Sequence, residues 1–262
     1  MVKNPLRKRI FRELRGEAGK YIVIFLLLAM TISLVSGFLV ADGSMIAAYN
    51  ESFEKYNVEY GNFRVEKKLN KAQLKYISQA GISLYDNFYV EEPLDNGTTV
   101  RIFQNRQQVN LPCLMSGSLP QGRGEIAIDR MYAENNGLAV GDRLTCGDRS
   151  WIVSGLIALP DYSALFQDNN DTMFDSLLFG VALVSQEDFS DFGKDTLFYC
   201  YSWLYDTPLA DEKQEKDMAE DVMTTVNQEA SLESFVPRYL NQAIRFTGDD
   251  MGGDRAMIIM FL

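Results

Sequence analysis

Tyr21–Val40, YIVIFLLLAMTISLVSGFLV, is a run of twenty residues without a charge. As a helix rising about 1.5 Å per residue it reaches about 30 Å, the thickness of a bilayer's hydrocarbon core. Its flanks differ sharply in charge. Residues 1–20 carry seven basic side chains (Lys3, Arg7, Lys8, Arg9, Arg12, Arg15, Lys20) against Glu13 and Glu17, a local charge of +5. Ala41–Tyr60 holds only Lys55 among four acidic residues. The net charge of −11 over 262 residues therefore divides into +5 before position 21 and −16 after it. A basic flank is retained on the cytoplasmic side of a membrane, so the remainder of the chain is expected outside. A cleaved leader fits less well, because the run exceeds the usual apolar core of about 7–15 residues and no A-x-A site closes it.

Two further patterns accompany the crossing. Ala29, Ser33, Gly37 and Ala41 form a stripe of small residues at four-residue spacing, which favours close packing of membrane helices. Upstream, Leu6, Ile10 and Leu14 lie on one face with Arg7, Arg12 and Arg15 around it, and Pro5 suits a first turn. Residues 1–20 thus read as a basic amphipathic segment lying in the headgroup layer of the lipid bilayer. At the far end, AMIIMFL (Ala256–Leu262) is an uncharged run after Asp254 and Arg255. It reads as the start of a second crossing over 255–262, leaving 42–254 as one external domain after a transmembrane helix over 21–41.

Composition removes several kinds of chemistry. There is no His among the 262 residues, which excludes Ser/His/Asp and Cys/His nucleophilic machinery and His-ligated metals. Strong acidity argues against nucleic acid as a partner, since phosphate contacts need a clustered basic face. No G-x-x-x-x-G-K-[ST] phosphate loop occurs. Gly122–Ala127 satisfies G-x-G-x-x-A, but it leads into a strand-like EIAI, so a tight turn is expected there. Asp168, Asn169, Asn170 and Asp171 offer oxygen ligands without the glycine and distal glutamate of a calcium loop, and read as a solvated loop. Cys113, Cys146 and Cys200 are odd in number and widely spaced. That argues against zinc and leaves one disulfide among them open, with no basis for choosing the pair. No catalytic, cofactor-binding or metal-binding residue, no cofactor and no enzymatic activity is expected.

The external segment mixes periodicities, giving an α+β class. Phe63 and Val65 alternate with polar neighbours. Asn70–Ala80 is a helix with an Asn cap, ended by Gly81. Ile82–Val90, Thr98–Gln104 and Glu125–Ile128 are extended. Asp129–Asn136 is a short helix closed by Gly137, and Arg143–Cys146 with Trp151–Ile157 form a hairpin around Gly147-Asp148. Leu177–Val184 and Thr196–Tyr205 read as buried strands. Ala210–Gln228 is a charged helix with Met218, Val222 and Val226 facing inward.

Within this pattern GEIAIDRMYAENNGLAVGDRL (Gly124–Leu144) and WIVSGLIALPDY (Trp151–Tyr162) resemble the external core domain of MacB-type, FtsX-like ABC transporter permeases. The matching positions are Gly124, Glu125, Ile126, Ile128, Gly137, Leu138, Val140, Gly141, Asp142, Val153, Gly155 and Pro160. Gly137 would end the helix, Val140 pack inward, and Gly141-Asp142 turn the chain. KRIFRELRGEAGKYIVIFLLL is similar to that family's interfacial helix entering its first membrane helix, and NQAIRFTGDDMGGDRAMIIMFL (Asn241–Leu262) to the approach to its second. The resemblance implies the N-terminal part of a permease, working as a homodimer or paired permease with a cytoplasmic ABC ATPase. It also implies that the external domain acts on a peptide, lipoprotein or envelope partner. The later membrane helices and the ATPase-gripping loop of that family are not in the sequence. The alternative is a single-pass, membrane-anchored binding or sensor module without an ATPase.

Overall fold

The computed structural model describes residues 15–146 and 149–260. The segment carrying Leu6, Ile10 and Leu14, the Gly147-Asp148 turn and Phe261-Leu262 lie outside the described residues. Two units emerge: one runs to Tyr49 and includes the residues from Asp250 on, and the other is Asn50–Asp249.

In the first unit, α1 (Ala18–Lys55) is a single 38-residue helix, continuing well beyond the apolar run. Among the described residues it is the one helix long and apolar enough to cross a membrane. Its apolar side chains lie bare, with Leu27 63% and Leu34 73% exposed. In water such a surface is unfavourable, so it needs an apolar surrounding. The expected small-residue stripe is uncovered at Ser33, Gly37 and Ala41. The less exposed face instead follows Val35, Leu39, Asp42, Ile46 and Tyr49.

The second unit holds two sheets. The smaller has the order β11–β1–β10–β2, all antiparallel, from β1 (Gly61–Val65), β2 (Ile82–Asp86), β10 (Tyr199–Tyr205) and β11 (Leu232–Pro237). The larger is mixed, with the order β3–β4–β9–β6–β8–β5 and β7 also paired to β8. Its strands are β3 (Tyr89–Pro93), β4 (Thr99–Gln104), β5 (Cys113–Gly117), β6 (Glu125–Asp129), β7 (Arg143–Cys146), β8 (Arg149–Ala158) and β9 (Phe179–Val184). β4 runs parallel to β9 and β6 parallel to β8, while the other pairs are antiparallel. All six residues of β9 are buried, which is why FGVALV shows no alternation. The α+β class is thus as expected.

Helices cap these sheets where local chemistry dictates. α2 (Lys71–Ile77) begins with a reciprocal Asn70–Gln73 capping box, and a short 3-10 turn carries it to Gly81 at φ 78°. α3 (Arg130–Asn135) starts at Asp129, whose carboxylate accepts from the Met131 and Tyr132 N–H groups at 2.8 and 3.1 Å. α4 is the short Gln186–Ser190. α5 (Glu212–Glu229) is capped by Asp211 and buries Ala219, Val222 and Val226. Val222 and Val226 are buried as expected, while Ala219 takes the innermost place in the first turns and Met218 is half-buried beside it, the i, i+3, i+7 spacing of one helical face. α6 (Gln242–Met260) starts before the apolar run, so the polar approach is itself helical.

The V-G-D turn is formed, with one correction. Gly137 and Gly141 sit at φ 66° and 99°, where a side chain would be strained. Asp142 accepts from the Ala139 N–H at 2.8 Å, and Gly141 and Val153 fasten the turn to β8. Val140 is 43% exposed rather than packed inward, and Leu138 meets the core in its place.

Burial pushes the Asp129 carboxyl up to about 6, with the Tyr132 and Met131 amides pulling the other way. The folded chain then keeps a proton that the unfolded chain releases at lower pH. Asp129's contribution is full below pH about 4 and is lost as pH rises through about 6. Asp129→Asn keeps an effective cap and removes the titration. Urea unfolding should show the variant gaining on the wild type as pH rises across that window.

Candidate functional site

The chain passes from α1 into β1 through Tyr56–Tyr60, and this passage is bolted to the loop after β4. Asn57 and Asn110 are the two described non-glycine residues with positive φ, at 48° and 50°, a region that Asn enters more readily than most residues. They face each other. The Asn110 N–H donates to the Asn57 carbonyl at 3.0 Å, the Leu111 N–H to the Tyr56 carbonyl at 2.8 Å, and the Asn57 amide to the Gln108 carbonyl at 2.5 Å. The last turn of α1 joins the same body, since the Arg238 guanidinium lies 5.2 Å from the Phe53 ring and 3.9 Å from the Tyr60 ring.

Glu59, 1% exposed, stands at the centre of this junction. Its carboxyl receives the Asn62 amide at 2.6 Å, the Asn110 amide at 2.7 Å and the Ser202 hydroxyl, while its own N–H donates to Asn110 Oδ1 at 2.9 Å. Burial first, and the charge of Asp161 second, hold the Glu59 carboxyl above the usual range. Asp161 pairs with Arg106 at 2.7 Å, both side chains being at least nine-tenths buried. The Arg106 guanidinium stacks 4.2 Å over Phe103, and its Nε and Nη2 have no hydrogen-bond partner.

Beside the junction lies a cleft of about 630 Å³ lined from both sheets, by the loop 161–171 and by the start of α6. Arg101 from β4 forms a densely hydrogen-bonded part of its wall. It donates to Glu91, to the Tyr162 hydroxyl at 2.7 Å and to the Gln167 carbonyl at 2.8 Å, and it lies 4.5 Å from the Tyr89 ring centre. Arg64 from β1 reaches Glu233 at 2.8 Å and the Tyr89 hydroxyl at 3.1 Å. The cleft wall holds Arg64 and Arg101 against five carboxylates: Glu59, Asp161, Asp168, Asp171 and Glu233. The Asn87 side chain, 7% exposed, lines the cleft and makes no hydrogen bond among the described residues.

The remaining candidates are structural. Gly124 at φ 77° leads into β6, and the Gln121 and Gly122 N–H groups turn back to Glu125, so Gly122–Ala127 is a tight turn. No group of three or more metal-ligating side chains occurs among the described residues. Asn169 ties the 168–171 loop to Leu240 and Gln242, which fixes one rim of the cleft. All three cysteines are free. Burial, then the charge of Glu59, pushes the Cys200 thiol up to about 12, and burial pushes Cys146 up to about 11, far from the thiolate a nucleophile needs. Alternation along β10 places Tyr201 and Trp203 in the smaller core and turns Cys200 and Ser202 toward the cleft and Glu59. Glu59, Arg101, Arg106 and Asp161 had no local signal in the sequence, as each is an isolated charge until the fold joins them.

No protein-family model and no curated protein sequence matches the chain. Among solved structures, it is similar to the extracellular domain of the noncanonic ABC-type transporter YknZ from Gram-positive bacteria. The identity is 10% and the TM-score 0.35, over 67% of this chain and 100% of that one. It is also similar to the periplasmic region of MacB from Actinobacillus actinomycetemcomitans. Here the identity is 9% and the TM-score 0.39, over 72% of this chain and 91% of that one.

Proposed function

We propose that the chain is the N-terminal part of an ABC transporter permease. Its first membrane helix carries motion driven by a cytoplasmic ATPase to an extracytoplasmic domain that acts on a peptide, lipoprotein or envelope partner. The observation that supports this most is the continuity of α1, unbroken from Ala18 to Lys55, whose last turn is held by Arg238 and runs directly into the Glu59–Asn110 junction. A helix with bare apolar sides that ends in a flexible linker would only anchor; one that enters a hydrogen-bonded junction is suited to transmit displacement. The start of α6 is held similarly, with the Ser163 hydroxyl donating to the Ala243 carbonyl at 2.7 Å. The V-G-D turn adds the resemblance in sequence. On this reading the chain does no bond chemistry itself; it has no His, and the Cys146 and Cys200 thiols are buried and held protonated.

The N-terminus lies in the cytoplasm and residues 50–249 outside. A Cys113→Ser background carrying Lys213→Cys, on the exposed face of α5, should react with a membrane-impermeant maleimide in intact cells. Lys3→Cys should react only after permeabilisation. The reverse pattern would overturn the orientation. A binding or sensor module without an ATPase is the second reading, favoured by the cleft with its unpaired Asn87; the two readings part on whether an ATP-hydrolysing subunit accompanies the chain.

A further inference from the structure

The cleft has the marks of a ligand site rather than a packing gap. Its volume of about 630 Å³ falls in the range of about 300–1,000 Å³ typical of such sites. Its charged groups are not equally committed. Arg64 is paired with Glu233, Arg101 with Glu91, and Asp161 with Arg106. Asp168 and Asp171 at the rim form no ion pair among the described residues; they meet each other in a turn, the Asp168 N–H donating to the Asp171 carboxylate at 2.9 Å and the Asp171 N–H to the Asp168 carbonyl at 3.1 Å. The uncompensated charge of the cleft is therefore negative and sits at its mouth, where a cation would meet it first. Deeper in, the buried Asn87 amide offers a donor and an acceptor that the protein does not use. That is the pairing a peptide group requires. Phe166 and Phe235 add apolar ring surface to the same walls.

We propose that this cleft binds a short cationic peptide segment, with its ammonium or guanidinium group at Asp168 and Asp171, a backbone amide on Asn87, and an apolar side chain against Phe166 and Phe235. A free anion is disfavoured by the mouth, and an uncharged sugar would leave the two aspartates unused. The inference concerns recognition only and does not depend on an ATPase.

The test is fluorescence anisotropy on the full chain in a zwitterionic detergent without nucleotide, using labelled Lys-Phe-Lys amide, with Glu-Phe-Glu amide and maltotriose as competitors. Lys-Phe-Lys should bind and be released by added salt, and Glu-Phe-Glu should compete at least about tenfold more weakly. Asn87→Leu and the rim double variant Asp168→Asn/Asp171→Asn should each weaken binding by about tenfold or more, with the unfolding midpoint unchanged. No binding at about 1 mM protein, equal competition by Glu-Phe-Glu or by maltotriose, or full binding by both variants would overturn the proposal. Any of these would leave the permease reading standing, because that reading is tested separately, by whether an ATPase co-purifies.

Discussion

Asp161→Ala should lower the unfolding free energy of the external domain by about 3–5 kcal/mol, the usual cost of leaving one member of a buried ion pair alone. Arg106 is 6% exposed, already has two unpartnered nitrogens, and would keep only a 3.5 Å contact to the Asn110 carbonyl. Part of the loss is offset, because Asp161 also raises the neighbouring Glu59 carboxyl and its removal relieves that repulsion. Exchanging both partners for apolar residues, as in Asp161→Leu/Arg106→Met, should recover much of the stability, since no buried charge then remains. Urea unfolding of the detergent-solubilised chain can follow this through Trp151 and Trp203, which are both buried. A loss for Asp161→Ala within about 0.5 kcal/mol, the range of ordinary surface changes, would show that the pair is not closed off from water.

Trp203→Ala should cost a comparable amount, about 3–5 kcal/mol, through a cavity in the smaller core. The side chain is fully buried, stacks on Phe235 at 4.9 Å and lies 6.3 Å from Phe63. β1 has adapted to it: a Cβ on Gly61 would fall 2.2 Å from the Trp203 ring, so the glycine makes room for the indole. Because the indole N–H has no partner, Trp203→Phe loses no hydrogen bond and should cost well under half as much. Comparison of the two variants by the same unfolding measurement separates lost volume from lost polar contact.

The parts of this molecule that were legible in the sequence are those fixed by neighbouring residues. Tyr21–Val40 declares a helix by lacking charge, Asn70 and Asp129 announce helix starts, and Gly137 with Gly141-Asp142 dictates a turn whatever surrounds it. Val140 was misplaced because the turn rule does not say which side faces the core. β5 was missed since it is an edge strand with its last four residues exposed, which gives it no alternation to read. β11 was missed for a related reason, its residues being mostly half-buried. The junction and the cleft were invisible. Glu59 meets Asn110 and Ser202 across 51 and 143 residues of sequence, and Asp161 gains its meaning only when the end of β8 is brought beside Arg106. Such contacts depend on sheet order, which local periodicity does not encode.

A permease needs an ATP-driven partner. The affinity-tagged full-length protein, purified from its native membranes in mild detergent, should carry a second polypeptide that hydrolyses ATP, in a fixed ratio that persists through size-exclusion chromatography. Recovery of the intact, membrane-inserted chain with no ATP-hydrolysing subunit would contradict the permease reading and leave the membrane-anchored binding module in its place.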